Sequence, residues 1–352
     1  MFDRGEMLRK LALNAARLTG IAPLAEAWTG GVGAILMLHR VTATPAKPRG
    51  VNRHLTISPF FLDAVIADMK RAGYAFVAMD EVVERLKKGG TPPRFAALTA
   101  DDAYRDNLTE ALPVLENHDA PITIYVAPGL INGEVDLWWE LVEDIVAARD
   151  RFYFSTSEGR VAVDCSTPAK KHEAIVRLHE HLTHDVREQD QRTIVRDLAR
   201  TVGVDPEAPR RETLMTWEEV RVAARHPLVT IGAHSLHHYN LRRLPDEDAL
   251  REIADAASVL AIELGETPRH MAYPYGYSWA VGEREVRLAA EAGFASAVTT
   301  RHGLLQPAHG ANLHALPRLS VNGRYQRVAH IRTMLTGVTT PLVNGGRIVV
   351  TV

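Results

Sequence analysis

Apolar residues after Gly30 and Gly31 occur in short runs, and segments with helical spacing of apolar positions lie between these runs. This alternation is typical of βα units, in which helices connect parallel strands. The apolar runs predict seven strands, at residues 34–38, 75–78, 95–99, 122–126, 228–231, 270–273 and 295–298. The spaced segments predict helices at residues 59–72, 80–88, 107–117, 246–264 and 282–292. The pattern therefore indicates an α/β barrel or a doubly wound parallel sheet.

The alternation stops between residues 132 and 211. This segment contains the pair Trp138 and Trp139, a hairpin-like pattern at residues 152–163 and a charged helical stretch. We expect it to be an insertion between two strands of a barrel domain at residues 31–325, with a C-terminal extension at residues 326–352. Long loops after barrel strands commonly shape the substrate site, so the insertion is a candidate for substrate binding.

Residues 1–30 combine basic residues with leucines, but Asp3 and Glu6 interrupt the apolar stretch that a signal peptide requires. We predict an amphipathic helix that packs on the barrel, with weak contact to a membrane surface as the alternative. No stretch of the sequence reaches the roughly 20 consecutive apolar residues of a membrane-spanning helix. The lack of a clear signal peptide favours a cytoplasmic location.

The composition excludes some classes of protein. Of 352 residues, 46% are hydrophobic and 24% charged, which is typical of a folded chain with a sizeable core. The 41 basic and 43 acidic residues leave a net charge of −2, so nothing favours a nucleic-acid partner. The single cysteine, Cys165, cannot form an internal disulfide, and the 16 histidines are the better source of metal ligands.

Polar side chains follow four of the predicted strands, at the point where each strand ends. In a parallel barrel these ends lie on one face, which is where barrel enzymes keep their chemistry. The residues concerned are His39, Asp101, Asp102, His234, Pro274 and Tyr275.

Asp101 and Asp102 are adjacent, so their side chains cannot point the same way at the end of a strand. One carboxylate could bind a metal while the other acts as a base on metal-bound water. The alternative is that the pair caps the helix that follows.

Three histidines lie within five residues, at positions 234, 237 and 238. Two histidines and a carboxylate form a common open metal site with room for water. A single histidine is more often structural, but this cluster at a strand end favours ligands. The spacing does not choose between His237 and His238.

These residues resemble the motifs of the polysaccharide deacetylase family, also called the NodB homology domain or carbohydrate esterase family 4. Residues 99–104 (TADDAY) resemble its first motif, T-F-D-D-G-Y, and residues 234–238 (HSLHH) resemble its second, H-[ST]-x-x-H. Residues 272–276 (AYPYG) resemble the third, R-P-P-Y-G. The resemblance covers about residues 34–320 and implies a distorted (β/α)7 barrel with an insertion between barrel strands.

The resemblance also implies roles for the residues in these motifs. Asp101 matches the catalytic base, and Asp102, His234 and His238 match the ligands of a divalent metal, for which Zn²⁺ is expected and Co²⁺ or Ni²⁺ are alternatives. The backbone N–H of Tyr275 matches the donor to the developing oxyanion, held by the turn at Pro274. The candidate substrate-binding residues are Pro274, Tyr275, Trp138 and Trp139, of which the two tryptophans offer faces for a sugar. Trp217 and Trp279 offer such faces too, although tryptophans are more often part of the core.

The sequence departs from the family pattern at three places. The family supplies a general acid from a late L-x-H motif, which is absent here. Residues 36–41 (LMLHRV) instead resemble the circularly permuted branch, which assigns the acid to His39; the alternative is a structural histidine. Ala103 replaces a glycine, and Ala272 replaces the arginine that orients the catalytic aspartate. Arg318 is the candidate substitute, unless it is a surface arginine without a role.

The resemblance implies a hydrolase that removes N-acetyl groups from a carbohydrate such as a chitooligosaccharide or polysaccharide. Two alternatives remain. One is another amide or ester hydrolase on the same barrel, such as a deformylase, an imidase or an O-acetyl esterase. The other is a glycan-binding homologue that has lost catalysis, although a pure binder would not need an acid and a base.

Overall fold

The structure is a computed structural model that describes residues 13–15, 20–45, 51–90, 92–156 and 159–352. Much of the predicted N-terminal helix at residues 1–30 lies outside these ranges, and the described part contains the helix Ile21–Thr29. Within the described residues, every helix is too short or too polar to cross a membrane.

The described residues form twelve β-strands. In chain order they are β1 Gly33–Leu38, β2 Arg40–Val41, β3 Thr56–Ile57, β4 Ala75–Phe76, β5 Phe95–Ala100, β6 Ile122–Val126, β7 Arg151–Thr156, β8 Gly159–Asp164, β9 Val229–Ala233, β10 His270–Ala272, β11 Ser296–His302 and β12 Leu316–Ser320. Seven of them form a parallel sheet in the order β1-β12-β11-β10-β9-β6-β5, and β5 pairs back with β1. The architecture is therefore a closed seven-stranded parallel barrel, as predicted.

One barrel strand differs from the prediction. The predicted strand at 75–78 is only the short β4, which pairs with the first two residues of β5 and is not one of the seven barrel strands. The seventh strand is β12, where Pro317 and Arg318 interrupt the apolar run and so conceal the strand in the sequence.

The barrel strands are buried on both faces, which is why they appear in the sequence as nearly continuous apolar runs. Alternate side chains pack into two separate clusters. Ile35, Ala97 and Tyr125 belong to one cluster, whereas Leu36 and Leu98 belong to the larger cluster that includes the helices. A side chain at Gly232 would place its Cβ 2.5 Å from the ring of Tyr125, so the glycine makes room for this ring.

Fourteen α-helices lie wholly within the described residues, before, between and after the barrel strands. They are Ile21–Thr29, Pro59–Arg71, Met79–Lys88, Leu112–Asn117, Pro128–Asn132, Trp138–Ala148, Pro168–Glu180, Glu188–Val202, Ala208–Thr213, Trp217–Ala224, Asp246–Leu264, Glu283–Glu291, Val328–Leu335 and Thr339–Val343. The predicted helix at 107–117 is divided into a π-helical turn, Asn107–Ala111, and the helix Leu112–Asn117. Pro113 explains the division, because it has no N–H to bond to the preceding turn.

The segment between β6 and β9 contains the predicted hairpin. Strands β7 and β8 pair antiparallel, with Phe152 opposite Val163. The hairpin lies next to the helix Pro168–Glu180, and the ring of Phe154 contacts that of His181 at 5.2 Å.

Candidate active site

The carboxyl ends of the barrel strands bring the predicted residues together. Asp101 and Asp102 directly follow β5, His234 directly follows β9, and the turn containing Tyr275 follows β10. Because all of these strands are parallel, their carboxyl ends lie on the same face of the barrel.

Three ligand-type side chains converge at this face. The ligand atoms of Asp102, His234 and His238 all lie within 4.8 Å of one another, and the three residues are buried. Asp102 Oδ1 lies 3.6 Å from His234 Nε2 and 3.4 Å from His238 Nε2. This oxygen is buried and has no hydrogen-bond partner among the residues that the structure describes. Because an unpaired buried carboxylate oxygen is costly, the donor set fits a divalent cation.

Hydrogen bonding orients one of these histidines for metal binding. His234 Nδ1 lies 2.8 Å from the carbonyl oxygen of Ala272, to which it donates, so the lone pair of Nε2 faces Asp102. Burial lowers the pKa of His234, although the charge of Asp101 opposes this effect. Burial also lowers the pKa of His238 well below its usual value. Both imidazoles are therefore neutral near pH 7, which is the form that binds metals.

Asp102 has the opposite shift. Burial raises the pKa of Asp102 well above its usual value, and the neighbouring charge of Asp101 raises it further. A cation at this position would favour the ionised carboxylate, so metal binding and deprotonation of Asp102 are coupled.

Asp101 is held by a buried arginine. Arg318 Nη1 and Nη2 donate to the two carboxylate oxygens, each at 2.8 Å, and Arg318 Nε donates to the carbonyl of Thr299 at 2.8 Å. Only 1% of Arg318 is exposed. Burial raises the pKa of Asp101, but the charges of Arg318 and His234 and the hydrogen bonds from Arg318 together outweigh burial and bring this pKa down to about 2. Asp101 is therefore an ionised carboxylate in a fixed orientation, and the arginine missing at position 272 has a counterpart in β12.

His39 lies on the other side of this carboxylate. His39 Nε2 is 3.9 Å from Asp101 Oδ2, and 20% of the His39 side chain is exposed. Its carbonyl oxygen accepts a hydrogen bond from Asn107 Nδ2 at 2.9 Å. Burial lowers the pKa of His39 to about 4, with Asp101 opposing. His39 is therefore neutral near pH 7 and sits beside the carboxylate rather than in the metal-ligand group.

The backbone of the three motifs is strained. The described residues include six non-glycine residues with positive φ, and five of these lie in the motifs. They are Asp102 (72°), Ala103 (53°), Ser235 (53°), His238 (54°) and Tyr275 (63°). Such conformations cost on the order of 1–2 kcal/mol each and concentrate at functional sites. The value at Ala103 explains why the family motif has a glycine at this position.

Tyr275 and the two predicted tryptophans form a packed group around His238. Tyr275 and Trp139 place their rings 5.3 Å and 4.9 Å from the His238 ring, respectively. Trp138 Nε1 donates to the Tyr275 hydroxyl at 3.2 Å, and the adjacent Pro274 is buried. Trp138 and Trp139 are only 2% and 7% exposed, so neither offers an open face to a sugar. Their role in substrate binding stays a prediction.

The structure separates His237 from the ligand group. His237 Nδ1 lies 2.6 Å from Glu252 Oε1, and His237 Nε2 lies 3.0 Å from Glu134 Oε2. Burial opposes protonation, but these two carboxylates raise the pKa of His237. His237 therefore makes a structural ion pair between the segment after β6 and the helix Asp246–Leu264.

A buried arginine beside the site was not identified from the sequence. Arg192 Nη2 donates to the carbonyl of His238 at 2.9 Å, and its guanidinium lies over the rings of Trp138 (5.9 Å) and Tyr239 (5.5 Å). Only 6% of Arg192 is exposed. It lies in the helix Glu188–Val202, whose charged sequence is typical of a solvated helix. The sequence around Arg192 therefore did not predict that this side chain is buried beside the site.

The barrel resembles those of solved deacetylases. A Streptococcus pyogenes deacetylase, PplD, solved in complex with acetate, is 19% identical with a TM-score of 0.56, covering 86% of this chain and 97% of that one. IcaB from Ammonifex degensii is 16% identical with a TM-score of 0.54, covering 87% and 97%. A de-N-acetylase from Aggregatibacter actinomycetemcomitans is 13% identical with a TM-score of 0.51, covering 86% and 99%. At these identities the likeness shows a shared fold.

The comparison with curated proteins gives no significant match. The sequence model of the family described as "Polysaccharide deacetylase" matches residues 88–297. This match contains all three motifs, whereas β1, His39 and Arg318 lie outside it. Because the match spans more than half of the chain, the protein belongs to the polysaccharide deacetylase family.

Proposed function

We propose that this protein is a divalent-metal-dependent hydrolase that removes N-acetyl groups from an N-acetylated oligosaccharide or polysaccharide. The observation that supports this function best is the arrangement of Asp102, His234 and His238 beside an ionised Asp101 that Arg318 holds in place. A divalent cation on these three ligands, with Zn²⁺ first and Co²⁺ or Ni²⁺ as alternatives, would polarise the acetyl carbonyl and acidify a water molecule.

Asp101 is the proposed base. Its two oxygens are fixed by Arg318, so its orientation toward an attacking water is set before substrate arrives. A carboxylate with a pKa of about 2 is ionised at any pH at which the protein would work, but it holds a proton weakly. The proton taken from water must therefore move on.

His39 is the proposed recipient of this proton and the acid for the leaving amine. It is neutral near pH 7, because its pKa is about 4, so it can accept a proton that the reaction generates. The 3.9 Å gap between His39 Nε2 and Asp101 Oδ2 needs only a small movement or one bridging water for the transfer. Protonation of the amine as the C–N bond breaks contributes roughly 10²–10⁴-fold to such reactions.

The backbone N–H of Tyr275 is the proposed donor to the oxygen of the tetrahedral intermediate. Tyr275 has a φ of 63°. The carbonyl oxygen of Pro274, which shares a peptide plane with this N–H, accepts from the N–H of Gly276 at 2.7 Å, and this bond orients the donor. In the part of the chain that the structure describes, this N–H has no hydrogen-bond acceptor. A free donor at a strained turn suits an oxyanion hole.

The alternative of a glycan-binding protein that has lost catalysis was suggested by the missing arginine at position 272. The buried contact of Arg318 with Asp101 weakens that argument, because a pure binder has no use for an oriented carboxylate. Another amide or ester hydrolase would use the same groups, so only substrate tests separate it from a glycan deacetylase.

The decisive experiment measures acetate release from N-acetylglucosamine oligomers by the metal-free protein and by protein reloaded with Zn²⁺, Co²⁺ or Ni²⁺. We expect release only after reloading, and we expect Asp102→Asn to lose both the metal and the activity. Asp150→Asn is a matched control, because the Asp150 side chain is 82% exposed. Acetate release that survives metal removal would exclude the proposed mechanism. Hydrolysis of formyl, imide or O-acetyl substrates alone would favour the alternative hydrolases.

A further inference from the structure

Two exposed aromatic side chains lie in the loop that follows Tyr275. Tyr277 is 52% exposed and Trp279 is 42% exposed, and their rings stack with centroids 5.7 Å apart and an angle of 19° between the planes. We call this pair the aromatic platform. Exposed aromatic surface marks ligand-binding and interaction sites, so the platform is a candidate binding surface.

The platform is continuous with the candidate metal site. The ring of Trp279 lies 5.4 Å from that of Tyr275, which in turn lies 5.3 Å from that of His238. Two ring contacts therefore connect the buried ligand His238 with the half-exposed Trp279. A molecule whose reacting group is at the metal site and whose body extends outward along these rings would cover the platform.

The loop that carries the platform is held rigidly. Arg242 Nη1 donates to the carbonyl of Ser278 at 2.8 Å, and Arg301 Nη2 donates to the carbonyl of Val281 at 2.9 Å. The N–H groups of Ala280 and Val281 both donate to the carbonyl of Tyr277 at 2.9 Å. These bonds fix the backbone of the loop, so little backbone entropy is lost when a ligand covers the rings.

We propose that the aromatic platform binds a second sugar ring of the glycan, next to the sugar whose acetyl group reaches the metal site. The platform offers flat apolar faces, and the C–H face of a pyranose ring is the part of a sugar that packs on such faces. This inference rests on the proposed function, and it makes the preferred substrate an oligosaccharide or polysaccharide rather than a monosaccharide. Of the four tryptophans that the sequence offered for sugar stacking, the proposal uses the exposed Trp279, together with Tyr277.

The test measures affinity as a function of chain length in protein that cannot turn over the ligand. N-acetylglucosamine and its oligomers up to the hexasaccharide are titrated calorimetrically into the metal-loaded Asp101→Asn protein. We expect affinity to rise from the monosaccharide to the longer oligomers. Adding Trp279→Ala should reduce affinity for the oligomers roughly 3- to 10-fold while changing that for the monosaccharide little. Tyr277→Ala should also reduce affinity for the oligomers. Trp279→Phe should retain most of the increase in affinity with chain length.

Trp28→Ala is the matched control. Trp28 is 77% exposed and lies in the helix that leads into the amino-terminal end of β1, on the face of the barrel opposite the site. An affinity that does not rise with chain length, or a rise that Trp279→Ala leaves intact, would overturn the platform. The proposal would also be overturned if the platform bound a second copy of the protein instead. In that case Trp279→Ala would reduce self-association and leave glycan affinity unchanged.

Acetate release by the wild-type protein is measured in parallel. Wild-type protein that binds long oligomers through Trp279 but releases no acetate would refute the proposed function and still support the platform. Wild-type protein that releases acetate equally well from the monosaccharide and the hexasaccharide would support the proposed function and overturn the platform.

Discussion

Replacing Arg318 with methionine would remove the cation that lies against the carboxylate of Asp101. In the native protein two hydrogen bonds of 2.8 Å join the guanidinium to both carboxylate oxygens, and both side chains are buried. Removing one partner of a buried ion pair costs roughly 3–5 kcal/mol, because the remaining charge has no compensation. We therefore expect the free energy of unfolding of metal-free Arg318→Met protein to fall by this amount.

The same substitution should change the reaction. Loss of the guanidinium frees the orientation of Asp101, and a misplacement of about 1 Å can reduce the rate roughly 100-fold. Burial raises the pKa of Asp101 and Arg318 lowers it, so this pKa rises in the variant. Because the base must be ionised, the acidic limb of the pH profile of kcat/KM should move to higher pH. Arg318→Lys keeps a charge without the two-pronged contact, so it should retain more stability than activity.

Two measurements test this reasoning. Urea denaturation of the metal-free proteins gives the change in stability, and acetate release as a function of pH gives the change in the acidic limb. Arg200→Met is the control, because the Arg200 side chain is 61% exposed and its ion-pair partner, Asp197, is 66% exposed. A stability loss below about 1 kcal/mol together with an unchanged pH profile would show that Arg318 does not control Asp101.

Three further outcomes are expected. His39→Ala should depress deacetylation of an N-acetylglucosamine oligomer by roughly 10²–10⁴-fold but affect an aryl acetate far less, since that leaving group needs little protonation; equal losses would make His39 structural. Arg192→Met should weaken metal affinity roughly 10-fold by freeing the carbonyl of His238, as judged by competition with a chelator, and unchanged affinity would contradict this role. Hydrogen bonds from Arg332 lower the pKa of Asp68, with burial opposing, so the carboxylate stabilises the fold above its unfolded pKa and this stabilisation is lost as pH falls through the folded value. Asp68→Asn should thus cost about 1 kcal/mol at pH 7 in urea denaturation, and this cost should shrink as the pH falls below the unfolded pKa of the carboxyl group; a pH-independent loss would contradict the pairing.

Most of the fold was predictable because buried parallel strands have a simple sequence pattern. The predicted strand at 122–126 and the predicted helix at 246–264 match the structure residue for residue. The pattern failed at β12, where Pro317 and Arg318 lie inside the strand. The arginine that hides the strand is the one that binds Asp101, so the local rule is broken where a charge is needed inside the barrel.

The candidate site was predictable only as far as its residues lie in contiguous motifs. The candidate ligands Asp102, His234 and His238 belong to two short motifs at strand ends, and the structure brings their ligand atoms within 4.8 Å of one another. Arg192 contacts His238 from a helix that is distant in sequence, so neither motif predicted this contact. The exposure of Trp279 and the burial of Trp138 depend on how the insertion packs, which the composition of a segment does not determine.

The two ends of the barrel domain supply the groups that flank Asp101. His39 follows β1, the first barrel strand, and Arg318 lies in β12, the last. These strands pair with each other through Leu36 with Leu319 and Met37 with Ser320, and β1 pairs along its whole length with β5, which leads to Asp101. The candidate metal ligands, by contrast, follow β5 and β9, inside the region that the family match covers. Closure of the barrel is therefore what joins the proposed acid and the orienting arginine to the proposed base. The candidate metal ligands instead follow two strands that both pair with β6, and so need no closure.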